Sequence, residues 1–383
     1  MDIIDFFKKD EFRIPIVFRK DDLKSELNNL LSFYIKELEK NNVSENLISK
    51  IKSFRKSCSY CVSNYLKGKQ VNAYKNFVRG ITTLSIFDSP LLTVNLGDDK
   101  LYRGRKNKEN IDYSNEEMYH IPLNKRRIVS TQRYSFPGLP CLYACSSVYT
   151  CWAEIGRPSF DCFQVARLNS SHLAKESKLL DLSRIPQRIE ELKAKNWFKE
   201  EDYFLYWPLL AICSIKVKDE NEAFKPEYIF PQFLLEYILV NKMNYIGIKY
   251  ASIKAGLICN KQFKEDWRTY VNYVFPSQSP EMKGQADNNL SALFSIGANK
   301  SGKDLSILSN MQLVDNVSIK TKNSDDKSDD EFFKKSLNNV YLFTKDGSKY
   351  PYVQSNFGII EQVLNRDNYN YQNEQPFFLV VEK

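Results

Sequence analysis

Leu47, Ile51, Phe54, Cys58, Cys61 and Tyr65 follow one another at intervals of four, three, four, three and four residues. Only an α-helix, at 3.6 residues per turn, brings side chains so spaced to one side, so this stretch is expected to be a helix with a buried seam. Residues 22–39 carry a second such pattern, with Leu23, Leu27, Leu30, Leu31 and Tyr34 on one side. Residues 1–95 therefore form a mostly helical N-terminal region, closed by Pro90 and the turn NLGDDK. Cys58 and Cys61 fall on the seam, where cysteine acts as a small hydrophobe. No second CxxC or CxxH pair completes a four-ligand zinc site, and Cys141, Cys145, Cys151 and Cys162 lack metal-site spacing, so no metal is expected.

The rhythm changes at KLYRGR. Short strands (140–145, 161–167, 245–250) mix with helices (148–155, 230–241) as far as about residue 280, a pattern of α+β or α/β type. From Met282 the composition turns to Ser, Asn, Gly, Lys and Asp. Residues 281–383 then comprise a polar linker around KTKNSDDKSDDE and a small β-containing extension. Within that extension VYLFTKDGSKYPYV has the pattern of a hairpin around Asp346-Gly347, and PFFLVVEK that of a final strand.

With 43% hydrophobic and 14% aromatic residues, disorder throughout is excluded. The net charge of +8 permits an anionic partner without demanding one. Residues 46–87 hold eight Lys or Arg and no Asp or Glu. This is a solvated helix face beside an acidic neighbour, or alternatively a nucleic-acid contact. The opening MDIIDFFKKDEF has acids where a signal peptide needs a basic start, and the longest apolar run, 206–215, is too short for a bilayer. A cytoplasmic protein with no membrane partner and reduced thiols is expected.

Chemistry is bounded by what is scarce. His120 and His172 are the two histidines, which nearly removes Ser-His-Asp hydrolysis, histidine-ligated metals and histidine acid–base relays. Neither GxxxxGK[ST] nor GxGxxG occurs, so P-loop and Rossmann nucleotide binding are unsupported. An enzyme built from this chain works with arginine, carboxylate, hydroxyl and aromatic groups. RYSFPGLPCLYACSSVYTCWAE, residues 133–154, offers all four. Residues 141, 143 and 145 face one side of a strand and 142 and 144 the other. Ser146 or Ser147 caps the helix that follows, which ends by Gly156-Arg157-Pro158. Tyr143 thus stands at a strand end and Glu154 on the next helix. Singly, Glu154 and Arg103 are ordinary surface residues; they gain meaning as one constellation.

LYRGR, then EMYHIPLNKRRIVSTQRYSFPGLPCLYACSSVYTCWAE, then FPQFLLEYILVNKMNYIGIKYAS resemble the successive blocks of the RES domain family, named for an Arg, a Glu and a Ser in that order. Here these are Arg103, Glu154 and Ser252, and the resemblance covers roughly residues 98–280. It implies an α+β RES domain over residues 96–280, similar to the ADP-ribosyltransferase fold, with NAD+ as substrate. The implied activity is that of a NAD+ glycohydrolase: hydrolysis of the nicotinamide–ribose bond by a bacterial toxin or defence effector of a toxin–antitoxin pair, restrained by an antitoxin or other regulatory partner. ADP-ribosyl transfer to a protein or nucleic acid, and non-catalytic binding of NAD or ADP-ribose, are the alternatives. QRYS, at Gln132 to Ser135, stands where many relatives carry a GRWN-like block, with Arg133 kept.

On this resemblance Glu154 faces the positive charge that builds on the ribose as nicotinamide departs. Nicotinamide leaves neutral, so one carboxylate suffices and no histidine is required. Arg103 and Arg133 suit the pyrophosphate, because guanidinium groups pair bidentately with phosphate oxygens. Tyr134 and Tyr143 offer a ring to the nicotinamide or a hydroxyl to the ribose. Ser252 offers a hydrogen bond to the nicotinamide amide or a ribose. No base is in evidence to make it a nucleophile.

Overall fold

The computed structural model describes residues 2–20, 22–87, 89–107, 111–241, 244–255, 270–302, 304, 341–343, 349–352 and 355–373. The N-terminal region is helical as the spacing predicts: α1 (Ile3–Phe7), α2 (Leu23–Lys40), α3 (Glu45–Leu66) and α4 (Gln70–Leu84). Asp22 and Ser44 cap α2 and α3 by accepting from Ser25 N and Leu47 N. Cys58 and Cys61 are buried on the α3 seam, and burial raises both thiols.

Next come β1 (Thr93–Asn95), β2 (Leu101–Lys106), α5 (Asn115–Met118), β3 (Cys141–Cys145), α6 (Val148–Glu154), β4 (Phe163–Ser170), α7 (His172–Glu176) and β5 (Lys178–Leu182). They are followed by α8 (Ile189–Lys193), α9 (Glu200–Cys213), α10 (Ile229–Val240), β6 (Tyr245–Ala251), β7 (Val271–Pro276), α11 (Asn288–Leu293) and β8 (Phe294–Lys300). β9 (Tyr341–Phe343), β10 (Lys349–Pro351) and α12 (Asn356–Asn373) complete the described chain. The class is α+β. No helix among the described residues is long and apolar enough to cross a membrane.

Eight strands form one mixed sheet in the order β1-β5-β6-β7-β3-β2-β4-β8, with β5 and β6 parallel and every other neighbouring pair antiparallel. The parallel pair requires a long crossover, and α8, α9 and α10 supply it. Side chains alternate across the sheet. Leu180, Leu182, Ile248, Tyr250 and Val274 join α1–α4, α9 and α10 in the larger core. Leu142, Ala144, Leu179, Val271, Tyr273 and Phe275 face the other side, toward Ala174, Leu290 and Leu293. Tyr102, Cys145, Val165 and the α6 residues Val148 and Cys151 pack with Ile360 and Leu364 of α12.

Two local features position these layers. Pro208 lies inside α9 and has no N–H for the carbonyl of Phe204, one turn earlier. The Tyr34 hydroxyl donates to that carbonyl at 2.9 Å, so the proline is accommodated by a side chain from α2. At Gly104 a Cβ would come within 2.8 Å of the Cys151 Cβ, so glycine there lets α6 lie directly on β2.

The sheet does not stop near residue 280: β8 pairs with β4 from Val165 to Ser170. Beyond it lies a helix as well as β-structure. The expected hairpin is present as β9 against β10, in antiparallel register Phe343↔Lys349. Its Asp346-Gly347 turn, the KTKNSDDKSDDE linker and PFFLVVEK lie outside the described residues.

Candidate functional site

β2 and β3 share one paired position, Tyr102↔Cys145, whereas β3 pairs with β7 over five residues and β2 with β4 over six. The sheet is therefore loosely joined at this line. The helices above it also divide here, α9 and α10 packing on one side and α6 and α12 on the other.

Glu154 ends α6 at this border. One carboxylate oxygen, Oε1, accepts from Ser252 Oγ at 2.6 Å and from Asn272 Nδ2 at 2.6 Å. Ser252 follows β6 directly. Its backbone N–H donates to Tyr270 O at 2.7 Å, and its hydroxyl accepts from Ala255 N at 2.9 Å, which leaves the hydroxyl proton for Glu154. Both bonds to Glu154 come from neutral donors. Among the described residues no cation pairs with its carboxylate: Lys254 Nζ reaches the backbone carbonyl of Glu154 at 3.3 Å and the Glu220 carboxylate at 3.3 Å. Among the described residues, the Glu154 carboxylate is thus fixed in place by neutral donors alone.

Tyr250 and Tyr228 feel that charge. Burial raises the Tyr250 hydroxyl first, and Glu154 adds to it. Burial likewise pushes Tyr228 up to about 12, with Glu154 and Glu220 raising it and Arg133 opposing them. Tyr134 is buried and its ring lies 4.6 Å from that of Tyr250. The Tyr143 hydroxyl is buried near Ser135 and the Tyr134 backbone without reaching a well-formed hydrogen bond.

Arg103 alternates with Tyr102 along β2, yet its guanidinium is drawn to β3, where Nη1 donates to Tyr143 O at 3.0 Å. Among the described residues its Nε is buried without a partner and no carboxylate pairs with the guanidinium. Burial, with Arg105 adding repulsion, pushes Arg103 down to about 10, so it stays charged at neutral pH. Buried donors are nearly always satisfied, so an orphaned guanidinium nitrogen at this border calls for explanation. Arg133 is more committed: Nη1 donates to Cys213 O at 3.2 Å, at the end of α9, and the guanidinium lies 5.0 Å from the Tyr228 ring centre.

The structure thus gathers Glu154 and Ser252 in direct contact, with Tyr134, Tyr143 and Arg103 around the same border and Arg133 behind Tyr228. Asn272 and Tyr250, paired across β7 and β6, were not singled out from the sequence. An asparagine inside VNYVFP, a strand buried at all six positions, is the signal that could have found it. His120 is excluded from acid–base work. Its Nε2 accepts from Asp287 N at 2.9 Å and its Nδ1 donates to Ile121 O at 2.7 Å, and burial lowers it.

No protein-family model matches the chain, and no solved structure does. The chain is similar to a Bacillus subtilis (strain 168) protein named "Putative toxin YopC", with 34% identity over 284 residues. That stretch takes in 69% of this chain and 62% of the relative, so the chain spans less than two thirds of that protein's length.

Proposed function

We propose that the chain is a NAD+ glycohydrolase of the RES type that acts as a toxin by depleting NAD+. The observation that carries this reading is the pairing of two unneutralised charges at one border. Among the described residues Glu154 is an oriented anion with no counter-cation, and Arg103 is a partly buried cation with no counter-anion. NAD+ presents the complementary pair, a diphosphate and a cationic nicotinamide riboside.

In this reading Arg103 takes a phosphate oxygen, a charge-assisted contact worth about 1.5–3 kcal/mol. The C1′–N bond of the riboside breaks with its electron pair going to nicotinamide, which departs neutral. Glu154 Oε2, which accepts no hydrogen bond among the described residues, faces the oxocarbenium that remains. Water adds at C1′ and releases its proton to solvent. Ser252 and Asn272 orient the carboxylate, and the orphaned Oδ1 of Asn272 adds an acceptor for a ribose hydroxyl or the nicotinamide amide. The name of the Bacillus relative supports the toxin role, and an antitoxin is the partner such a role implies.

Incubation of the purified protein with NAD+, with nicotinamide, ADP-ribose and modified protein resolved separately, tests the reading. Equal nicotinamide and ADP-ribose is the expected result. Label transferred to protein assigns ADP-ribosyl transfer instead, and intact NAD+ overturns both.

A further inference from the structure

We propose that α12 is a clamp that holds α6 in place, with Glu361 as the positioning residue for Glu154. The proposal rests on the reading of Glu154 given above. α6 has seven residues, about two turns, too few to hold a helix without outside support. Its first N–H groups have no partners within the helix. Ser147 accepts from Thr150 N at 3.1 Å, but the two preceding N–H groups are taken by the C-terminal segment. Val148 N donates to Glu361 Oε1 at 2.7 Å, and Tyr149 N donates to the Tyr352 hydroxyl at 3.4 Å. The Tyr352 hydroxyl in turn donates to Glu361 Oε1, joining the two acceptors.

Packing ties the same elements. The Phe357 ring lies 5.3 Å from that of Tyr149 and 5.1 Å from that of Trp152. Ile360 and Leu364 are buried against Val148, Cys151 and Tyr102. The Asn365 side chain hydrogen-bonds the Tyr102 hydroxyl at 2.9 Å, beside Arg103 on β2. One helix therefore grips both the element that carries Glu154 and the strand that carries Arg103. Glu361 is 2% exposed and has no ion-pair partner among the described residues, an expensive arrangement for a residue that only fills space. A carboxylate against the start of α6 is favoured by the helix dipole, which gives its placement a direction.

The test uses the full chain with Glu361→Ala, Glu361→Gln and Tyr352→Phe. Nicotinamide release, thermal melting and amide exchange at Val148 and Tyr149 are measured for each. Glu361→Ala is expected to lower kcat by about tenfold or more, since small misplacements of a reacting group are costly, with KM within about twofold. Glu361→Gln should restore most of that loss, because its amide oxygen still accepts from Val148 N. Tyr352→Phe should fall between them, and exchange at Val148 and Tyr149 should quicken in the order of the kcat losses. If Glu361→Ala does not fold, the other two variants decide. Wild-type kcat in folded variants, with an inactive Glu154→Gln control, overturns the clamp and leaves the site standing. Unchanged exchange at Val148 and Tyr149 overturns it whatever the activity. Full turnover in Glu154→Gln instead overturns the reading of the site.

Discussion

The helical layer and the β2–β3 border contain similar aromatic and polar residues, used oppositely. In the layer, most polar atoms drawn inside are matched, the Tyr74 hydroxyl on α4 being an exception. Tyr34 donates to Phe204 O, Trp207 Nε1 donates to Phe12 O at 3.0 Å, and Tyr203 donates to Arg184 O at 3.0 Å. Asp181 accepts from Ser183 and Arg184, the latter at 2.9 Å. At the border, Arg103 Nε and Asn272 Oδ1 are left without partners among the described residues. A region that only has to be stable closes most of its hydrogen bonds internally; open ones at the border are what a site that receives a molecule would leave.

The largest effect expected to separate the two is on stability. Trp207 is fully buried, its ring 4.3 Å from that of Tyr34 and 5.1 Å from that of Phe12. Trp207→Ala should cost about 3–5 kcal/mol in denaturant unfolding. A milder loss would mean the layer is less tightly packed than its ring contacts indicate. Glu154→Gln should do the reverse, reducing turnover by about 10²–10³ with little change in melting temperature. A large drop in melting would make Glu154 a structural residue and erase the contrast. Arg103→Ala comes next, with a loss of about 10–100-fold in NAD+ affinity from one charge-assisted phosphate contact. Calorimetry showing unchanged affinity would assign Arg103 to holding β3 alone.

The smallest expected effect is on pH dependence. Burial raises Glu361 to about 7, against the hydrogen bonds from Tyr352 and Val148 and the charges of Lys100 and Arg167, while the carboxyl titrates near 4.5 unfolded. Its contribution to stability is fully present below about pH 4.5 and is lost as pH rises through about 7. Tyr352 and Tyr102 also face it, but burial keeps both hydroxyls protonated across this window. His120, lowered by burial, works in the opposite sense, its stabilisation growing as pH rises toward 6.5. The difference between wild type and Glu361→Gln isolates the carboxyl. Wild type should lose a few degrees of melting temperature relative to the variant between pH 5 and 8. Parallel curves would mean that Glu361 titrates in the folded protein as it does unfolded.

What was legible in the sequence follows from where periodicity survives. α2 and α3 each have one wet face, so their apolar residues repeat at helical spacing. The strand–cap–helix order from Cys141 to Glu154 was legible for another reason, its boundaries: Ser147 caps the helix and Gly156-Arg157-Pro158 stops it. α9 and β7 were not, because each is buried nearly all round and a pattern needs a polar face to contrast with. Glu154 and Ser252 were reached through resemblance, whereas Asn272 acquires meaning only when β7 sits between β3 and β6. α12 hides behind a polar stretch, and nothing local to Glu361 announces that its partner is Val148, 213 residues away.

Glu154 meets Ser252 across 98 residues of chain and Asn272 across 118. Closing loops of that length is entropically uphill until the intervening strands have paired, so no local fragment can assemble the three groups. On a refolding time course the arrangement should be among the last things to form, after the helical layer has collapsed. Regained turnover would then report completion of the whole sheet, and secondary structure recovered earlier in the same experiment would be catalytically silent.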